Sequence, residues 1–137
     1  MAGYSGTPLA TKLGIKPGHE VALFRPPPDF EKTLGELPEN VHVQVGLAGK
    51  TPLDVIVAFF SKRAELERQV ASLRRRMAPA CGLWIGWPKK ASGVPTDMTE
   101  NVVREIALPT GLVDNKVCAI DETWSGLRLV IRLENRS

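Results

Sequence analysis

The chain of 137 residues is poor in cysteine, in histidine and in long apolar runs, and each shortage removes a class of protein. Two cysteines, Cys81 and Cys118, with no CxxC pairing provide neither a disulfide framework nor a thiolate metal site, and they read as ordinary reduced thiols. The longest apolar run, Val55–Phe60, has six residues, whereas a bilayer span takes roughly 20. Tyr4, Ser5, Gly6 and Thr7 lack the basic and apolar regions of a secretory signal. The expectation is a cytoplasmic protein with no membrane partner. His19 and His42 have no second ligand at a usual spacing, so neither a metal site nor a histidine base is expected. Ser92-Gly93 and Ser125-Gly126 lack the elbow that exposes a serine nucleophile and read as turns.

What is present fits a single α/β domain over residues 1–137. Hydrophobic residues make up 43% and charged residues 24%, as in an average globular domain. A chain of this size buries roughly 68% of the surface it exposes when unfolded. The formal net charge of +3 is mildly basic. Arg74-Arg75-Arg76, with Arg63 and Arg68, could meet phosphates, but at the end of a helix the run reads first as a solvated face that complements the helix dipole. Nucleic acid is accordingly the least favoured partner.

Hydropathy patterning alternates helices and strands. Thr7 caps and Pro8 opens a short helix, with Leu9 and Leu13 on one face and Gly14 closing it, expected across an end of the sheet. The first strand runs from about His19 to Arg25, and Asp29 caps a helix carrying Phe30 and Leu34. Val41, Val43 and Val45 alternate with His42 and Gln44, as on a half-exposed edge strand. Asp54–Phe60 is apolar on both faces, as a central parallel strand is. Only eight residues, Gly46–Leu53, join these two strands, where a parallel crossover usually takes a dozen or more. Either the link hugs the sheet or the two strands are not parallel. Ser61 caps the longest helix, Lys62 to about Ala78, whose Leu66, Val70, Leu73 and Met77 form one stripe, and Pro79 stops it. Gly82–Trp87 is the next strand. Asp97 and Glu100 form a capping box on a helix from Met98 to Leu108. Lys116–Asp121 and Leu127–Leu133 are strands joined through a turn at Trp124-Ser125-Gly126, too short for a parallel crossover and therefore an antiparallel hairpin.

One shortage is local. A nucleotide-binding sheet follows its first strand with a glycine loop, whose backbone N–H groups approach the ligand closely at a helix N-terminus. This chain has Arg25-Pro26-Pro27-Pro28-Asp29-Phe30 instead. Prolines carry no N–H and fix φ near about −65°. The expectation is a cofactor-binding scaffold that holds no cofactor.

This order of elements, with Leu9–Leu23 and its Lys16-Pro17-Gly18 turn, resembles the Rossmann-like sheet of S-adenosylmethionine-dependent methyltransferases. The resemblance implies a three-layer open sheet, mostly parallel, ending in an antiparallel hairpin, with the last strand inserted between those beginning at Gly82 and Lys116. It implies truncation as well. One strand-helix unit is missing between Val45 and Asp54, and Val45-Gly46-Leu47 stands where a ribose-binding carboxylate would be. Trp87–Gly93 and Asp114–Leu127 further resemble a family of small bacterial proteins of unknown function. That likeness brings a fold and no catalytic residues.

Open parallel sheets bind ligands beyond the carboxyl ends of their strands. Here that edge collects Arg25, Trp87, Lys89, Lys90, Ser92, Asp121, Glu122, Thr123 and Trp124. Lys89 and Lys90 supply charge, Ser92 a hydroxyl, and Trp87 or Trp124 an apolar wall, a combination suited to a phosphate or carboxylate. The competing reading is a solvated loop, with Asp121 paired to Lys89 or Lys90 and the two indoles packing the top of the core, while Trp84, on the opposite strand face from Trp87, is expected within the core. Asp121 and Glu122 are adjacent on a strand, point to opposite faces and do not converge as an acid–base pair. The sequence favours a non-catalytic or regulatory module that binds a protein or a small anionic ligand at this edge. An enzyme with a rebuilt cofactor site comes second, and a nucleic-acid binder third.

Overall fold

A computed structural model of the chain describes residues 8–135. Six strands, β1 (Glu20–Phe24), β2 (His42–Val45), β3 (Leu53–Phe59), β4 (Met77–Pro88), β5 (Leu112–Ala119) and β6 (Trp124–Ile131), form a sheet in the order β2-β1-β3-β4-β6-β5. β1 is parallel to β2 and β3, and β3 to β4. β6 runs antiparallel to both β4 and β5. The last strand is thus inserted between its two predecessors, the order that the methyltransferase resemblance implied.

The helices α1 (Leu9–Lys12), α2 (Phe30–Leu34), α3 (Arg63–Arg75) and α4 (Glu100–Ala107) make the outer layers. On one face Leu66, Val70 and Leu73 of α3 and Val103 of α4 pack with Ile56, Leu83 and Ile85. On the other, Leu13, Ile15, Phe30 and Leu34 pack with Val21, Leu23, Val57 and Trp84. β3 supplies both cores because its apolar run leaves neither face polar. α1 lies on the second face rather than across an end, and the Trp84 indole N–H donates to the Leu13 carbonyl at 3.0 Å. Thr7, expected to cap α1, falls outside the described residues.

The link from β2 to β3 hugs the sheet. Residues 46–52 carry no helix, and Leu47 packs onto the α3 side of the core. The Arg76 guanidinium holds the link down from the end of α3. Its Nε and Nη2 donate to the Thr51 carbonyl at 3.2 and 2.8 Å, and Nη1 donates to the Leu47 and Ala48 carbonyls. Arg76 is only 8% exposed. The arginine run is therefore not a wholly solvated face, because the missing crossover helix leaves carbonyls that need a donor.

Helix caps are exchanged between loops. The Asp97 carboxylate, expected to cap α4, accepts the Arg63 N–H at 2.7 Å and so caps α3, the role expected of Ser61. α4 starts later than expected and is capped by Thr99, whose hydroxyl accepts the Val102 N–H at 3.1 Å. Glu100 leaves the capping box to pair with Arg104, which also holds Asp114. Asp29 precedes α2 in the left-handed region, φ 62°, with no side-chain cap bond.

Strand ends also move. α3 stops at Arg75 and β4 begins at Met77, paired with Leu53, because strand pairing takes over before Pro79 is reached. Trp124, Ser125 and Gly126 belong to β6 instead of a turn. The Asp121 carboxylate closes the hairpin first, accepting the N–H groups of Thr123 and Trp124 at 2.8 Å each. Gly126 leaves room within the strand for two side chains, since a Cβ there would lie 2.9 Å from Ile120 Cδ1 and 3.2 Å from Trp84 Cε3. β5 begins at Leu112 and β6 ends at Ile131, which pair with each other. No helix among the described residues is long and apolar enough to cross a membrane.

Candidate functional site

The carboxyl edge carries most of the residues singled out by sequence. The Lys89 N–H donates to the Thr123 carbonyl at 2.8 Å, which joins the loop 89–93 to the turn 120–123. Lys89 is half-buried, and Lys90 and Glu122 are exposed. The Ser92 hydroxyl is used within its own loop, donating to the Lys89 carbonyl at 2.6 Å and accepting the Val94 N–H at 3.2 Å. Asp121 forms no ion pair with either lysine among the described residues, since its carboxylate closes the hairpin. Trp87 is 8% exposed and packs in the α3 side of the core, whereas Trp124 packs on the opposite face, edge-on to Phe59 at 5.1 Å. The two indoles therefore do not share a wall. Arg25 sits two strands away at the end of β1, in the left-handed region with φ 55°, and pairs with Glu65 of α3 at 2.8 Å.

The other end of the sheet holds an arrangement that sequence reasoning missed. A cavity of about 440 Å³ opens on the α1 side, near the amino ends of β1 and β3. Lys12, Lys16, Lys116 and Arg128 line it, with His19 and Asp54. These residues come from separate segments with no common spacing. The one local signal is Gly82, a glycine inside a strand, where a Cβ would lie 2.6 Å from Arg128 Nε.

Neither thiol is activated. Burial, reinforced by the charge of Asp54, pushes Cys81 from its ordinary 9.0 to about 12. Burial also raises Cys118, opposed by Lys12 and Lys116. The folded protein thus holds the Cys81 proton more tightly than the unfolded chain, and stability is expected to fall as pH rises from about 9 toward 12. Chemical denaturation across that range, compared with Cys81→Ala, is the measurement. A parallel loss in the variant would assign the effect to other groups. Among the described residues no three His, Cys, Asp or Glu side chains come together to hold a metal ion.

Comparison of the whole chain with solved structures gives consistent neighbours. A S-adenosylmethionine-dependent methyltransferase from Aquifex aeolicus superposes with a TM-score of 0.63 at 18% identity, covering 90% of this chain and 88% of that one. A TehB-like S-adenosylmethionine-dependent methyltransferase from Corynebacterium glutamicum gives 0.57 at 12% identity, covering 96% and 91%. Aeropyrum pernix fibrillarin, solved with bound S-adenosylmethionine, gives 0.57 at 12%, covering 89% and 73%. The fold is methyltransferase-like. No protein-family model matches the sequence, and no curated protein sequence matches it significantly.

The methyltransferase-like fold raises the question of whether this chain's residues fit S-adenosylmethionine, and at the end of β1 they do not. Pro26, Pro27 and Pro28 have no N–H to offer, and that of Phe30 is donated to the Pro27 carbonyl at 3.2 Å. At the end of β2 the Gly46 N–H donates to the Leu23 carbonyl at 2.8 Å, and no carboxylate stands there to meet a ribose.

Proposed function

We propose that this chain is a non-catalytic binding module on a truncated methyltransferase-like sheet, recognising a protein or a small anionic ligand through the carboxyl edge around Lys89 and Lys90. The observation that carries this reading is the segment 25–30, where donor-free prolines and a committed Arg25 replace the cofactor loop. A cytoplasmic location with reduced thiols accompanies it, as does kinship with the small bacterial proteins that residues 87–93 and 114–127 resemble.

Calorimetric titration with S-adenosylmethionine is expected to give no binding heat. Micromolar affinity would overturn this reading in favour of an enzyme with a rebuilt cofactor site. Replacing Lys89 and Lys90 together by alanine is expected to cost less than ~1 kcal/mol in stability, because Lys90 is exposed and half-buried Lys89 is tied to the turn by its backbone N–H, which alanine keeps. The same variant is expected to lose its partner, and a partner that still binds would remove this edge from consideration.

A further inference from the structure

The geometry points to a second anion site at the opposite end of the sheet: the cavity beside α1 binds a small, multiply charged oxyanion of the phosphate-ester class. This inference does not depend on the carboxyl edge being used.

Charge is the first ground. Lys12, Lys16, Lys116 and Arg128 face one carboxylate, Asp54. The surplus of three positive charges equals the formal net charge of the entire chain, so the remaining residues balance to zero. Concave walls of low dielectric focus such a field and concentrate counter-ions. Asp54 is partly committed elsewhere, its Oδ2 accepting the Glu20 N–H at 2.8 Å.

Arg128 is the second. Its guanidinium lies across β4 at Gly82, and a Cβ there would stand 2.6 Å from Nε and 3.0 Å from Cζ. Glycine leaves the strand bare so that the guanidinium can settle onto it. Arg25, Arg63, Arg76 and Arg104 all hold hydrogen-bond partners. The Arg128 guanidinium makes no hydrogen bond or ion pair with another described residue, the backbone of Arg128 being held in the β4 and β5 ladders. A seated guanidinium with its fork unused suits bidentate capture of a phosphate or carboxylate, which a flexible ammonium does not provide.

The rest of the lining donates. Lys12 Nζ bonds the Ala119 carbonyl at 3.1 Å and Lys116 Nζ approaches the Lys12 carbonyl at 3.5 Å, so both ammonium groups are tethered near the wall. Lys116 follows an irregularity in the β5–β6 register, a feature that re-aims side chains. His19 Nδ1 accepts the Lys16 N–H at 3.2 Å, so the neutral ring carries its proton on Nε2, as a donor. A wall rich in donors and nearly without strong acceptors requires a ligand made of acceptors. The volume of about 440 Å³ lies in the lower part of the small-molecule range of roughly 300–1,000 Å³.

Inorganic pyrophosphate is the probe, titrated at fixed ionic strength by calorimetry and by amide NMR. Saturable binding is expected, with the largest shifts at Asn115, Lys116 and Arg128. Arg128→Gln should weaken it at least tenfold. Gly82→Ala keeps every charge but pushes the guanidinium off the strand, and should weaken it about fivefold. Lys32→Ala, a charge-matched change on α2, should leave affinity within twofold. Thermal unfolding without pyrophosphate verifies that each variant folds, and Lys116→Met replaces Gly82→Ala if that variant does not. Absence of saturable binding, or unchanged affinity in Arg128→Gln, overturns the inference. Shifts confined to residues 89–93 also overturn it, while leaving the carboxyl-edge reading intact.

Discussion

Replacing Arg76 by alanine is expected to lower stability by about 3 kcal/mol, read as a reduced urea midpoint at unchanged slope. A hydrogen bond to a charged group contributes roughly 1.5–3 kcal/mol, and this guanidinium serves three carbonyls, those of Leu47, Ala48 and Thr51. The full sum is not expected, because Ala48 and Thr51 are exposed and their carbonyls can turn to water once the guanidinium is gone. Arg76 also fixes the start of β3 through its own carbonyl, which accepts the Leu53 N–H at 2.7 Å. Truncating the side chain leaves that bond but frees the link before it. Hydrogen exchange should therefore accelerate first at residues 42–52, before the central strands respond. Arg76→Lys should recover only part of the loss, since an ammonium group cannot reach all three carbonyls as a planar fork does. An unchanged midpoint in Arg76→Ala would mean that Leu47 alone holds the link against the core.

Which parts of this fold were legible in the sequence follows from which interactions are local. Val55–Phe60 is apolar on both sides, and only a strand covered on both faces tolerates that pattern, so the central place of β3 could be read directly. The few residues between β5 and β6 left room for a hairpin and nothing else. Capping was not legible in the same way. Asp97 and Thr99 are both good caps lying ahead of one helix, and no local rule reveals that Asp97 serves the helix before it across a loop. Arg76 belongs with these, because its partners lie about 25 residues upstream.

The site divides along the same line. Lys89 and Thr123 meet because each segment follows a strand whose carboxyl end faces the same edge, a consequence of topology that the element order already contained. The faces of the indoles depend on register. Trp87 pairs with Ser125 and Trp124 with Pro88, an offset of one residue that sends the two rings to opposite sides of the sheet. The cavity at the amino end was invisible because its cations become neighbours only when α1 docks beside β5 and β6.

That docking makes Trp84 the second large effect. Trp84→Ala is expected to cost about 3–5 kcal/mol, the range for truncating a buried aromatic ring, since the indole is fully buried beneath α1. Trp84→Phe separates packing from polarity. It keeps an apolar ring but leaves the Leu13 carbonyl without its donor, for an expected loss of about 1–3 kcal/mol. α1 has four residues and no side-chain cap bond, too little to hold a helix without tertiary contacts. Lys12 and Lys16 flank Leu13, so whatever loosens that carbonyl loosens the lysine side of the cavity. Trp84→Phe should therefore remain folded by circular dichroism while binding pyrophosphate several times more weakly than the parent chain. Parental affinity in a folded Trp84→Phe would show that the indole supports the core alone, and that α1 keeps its place without it.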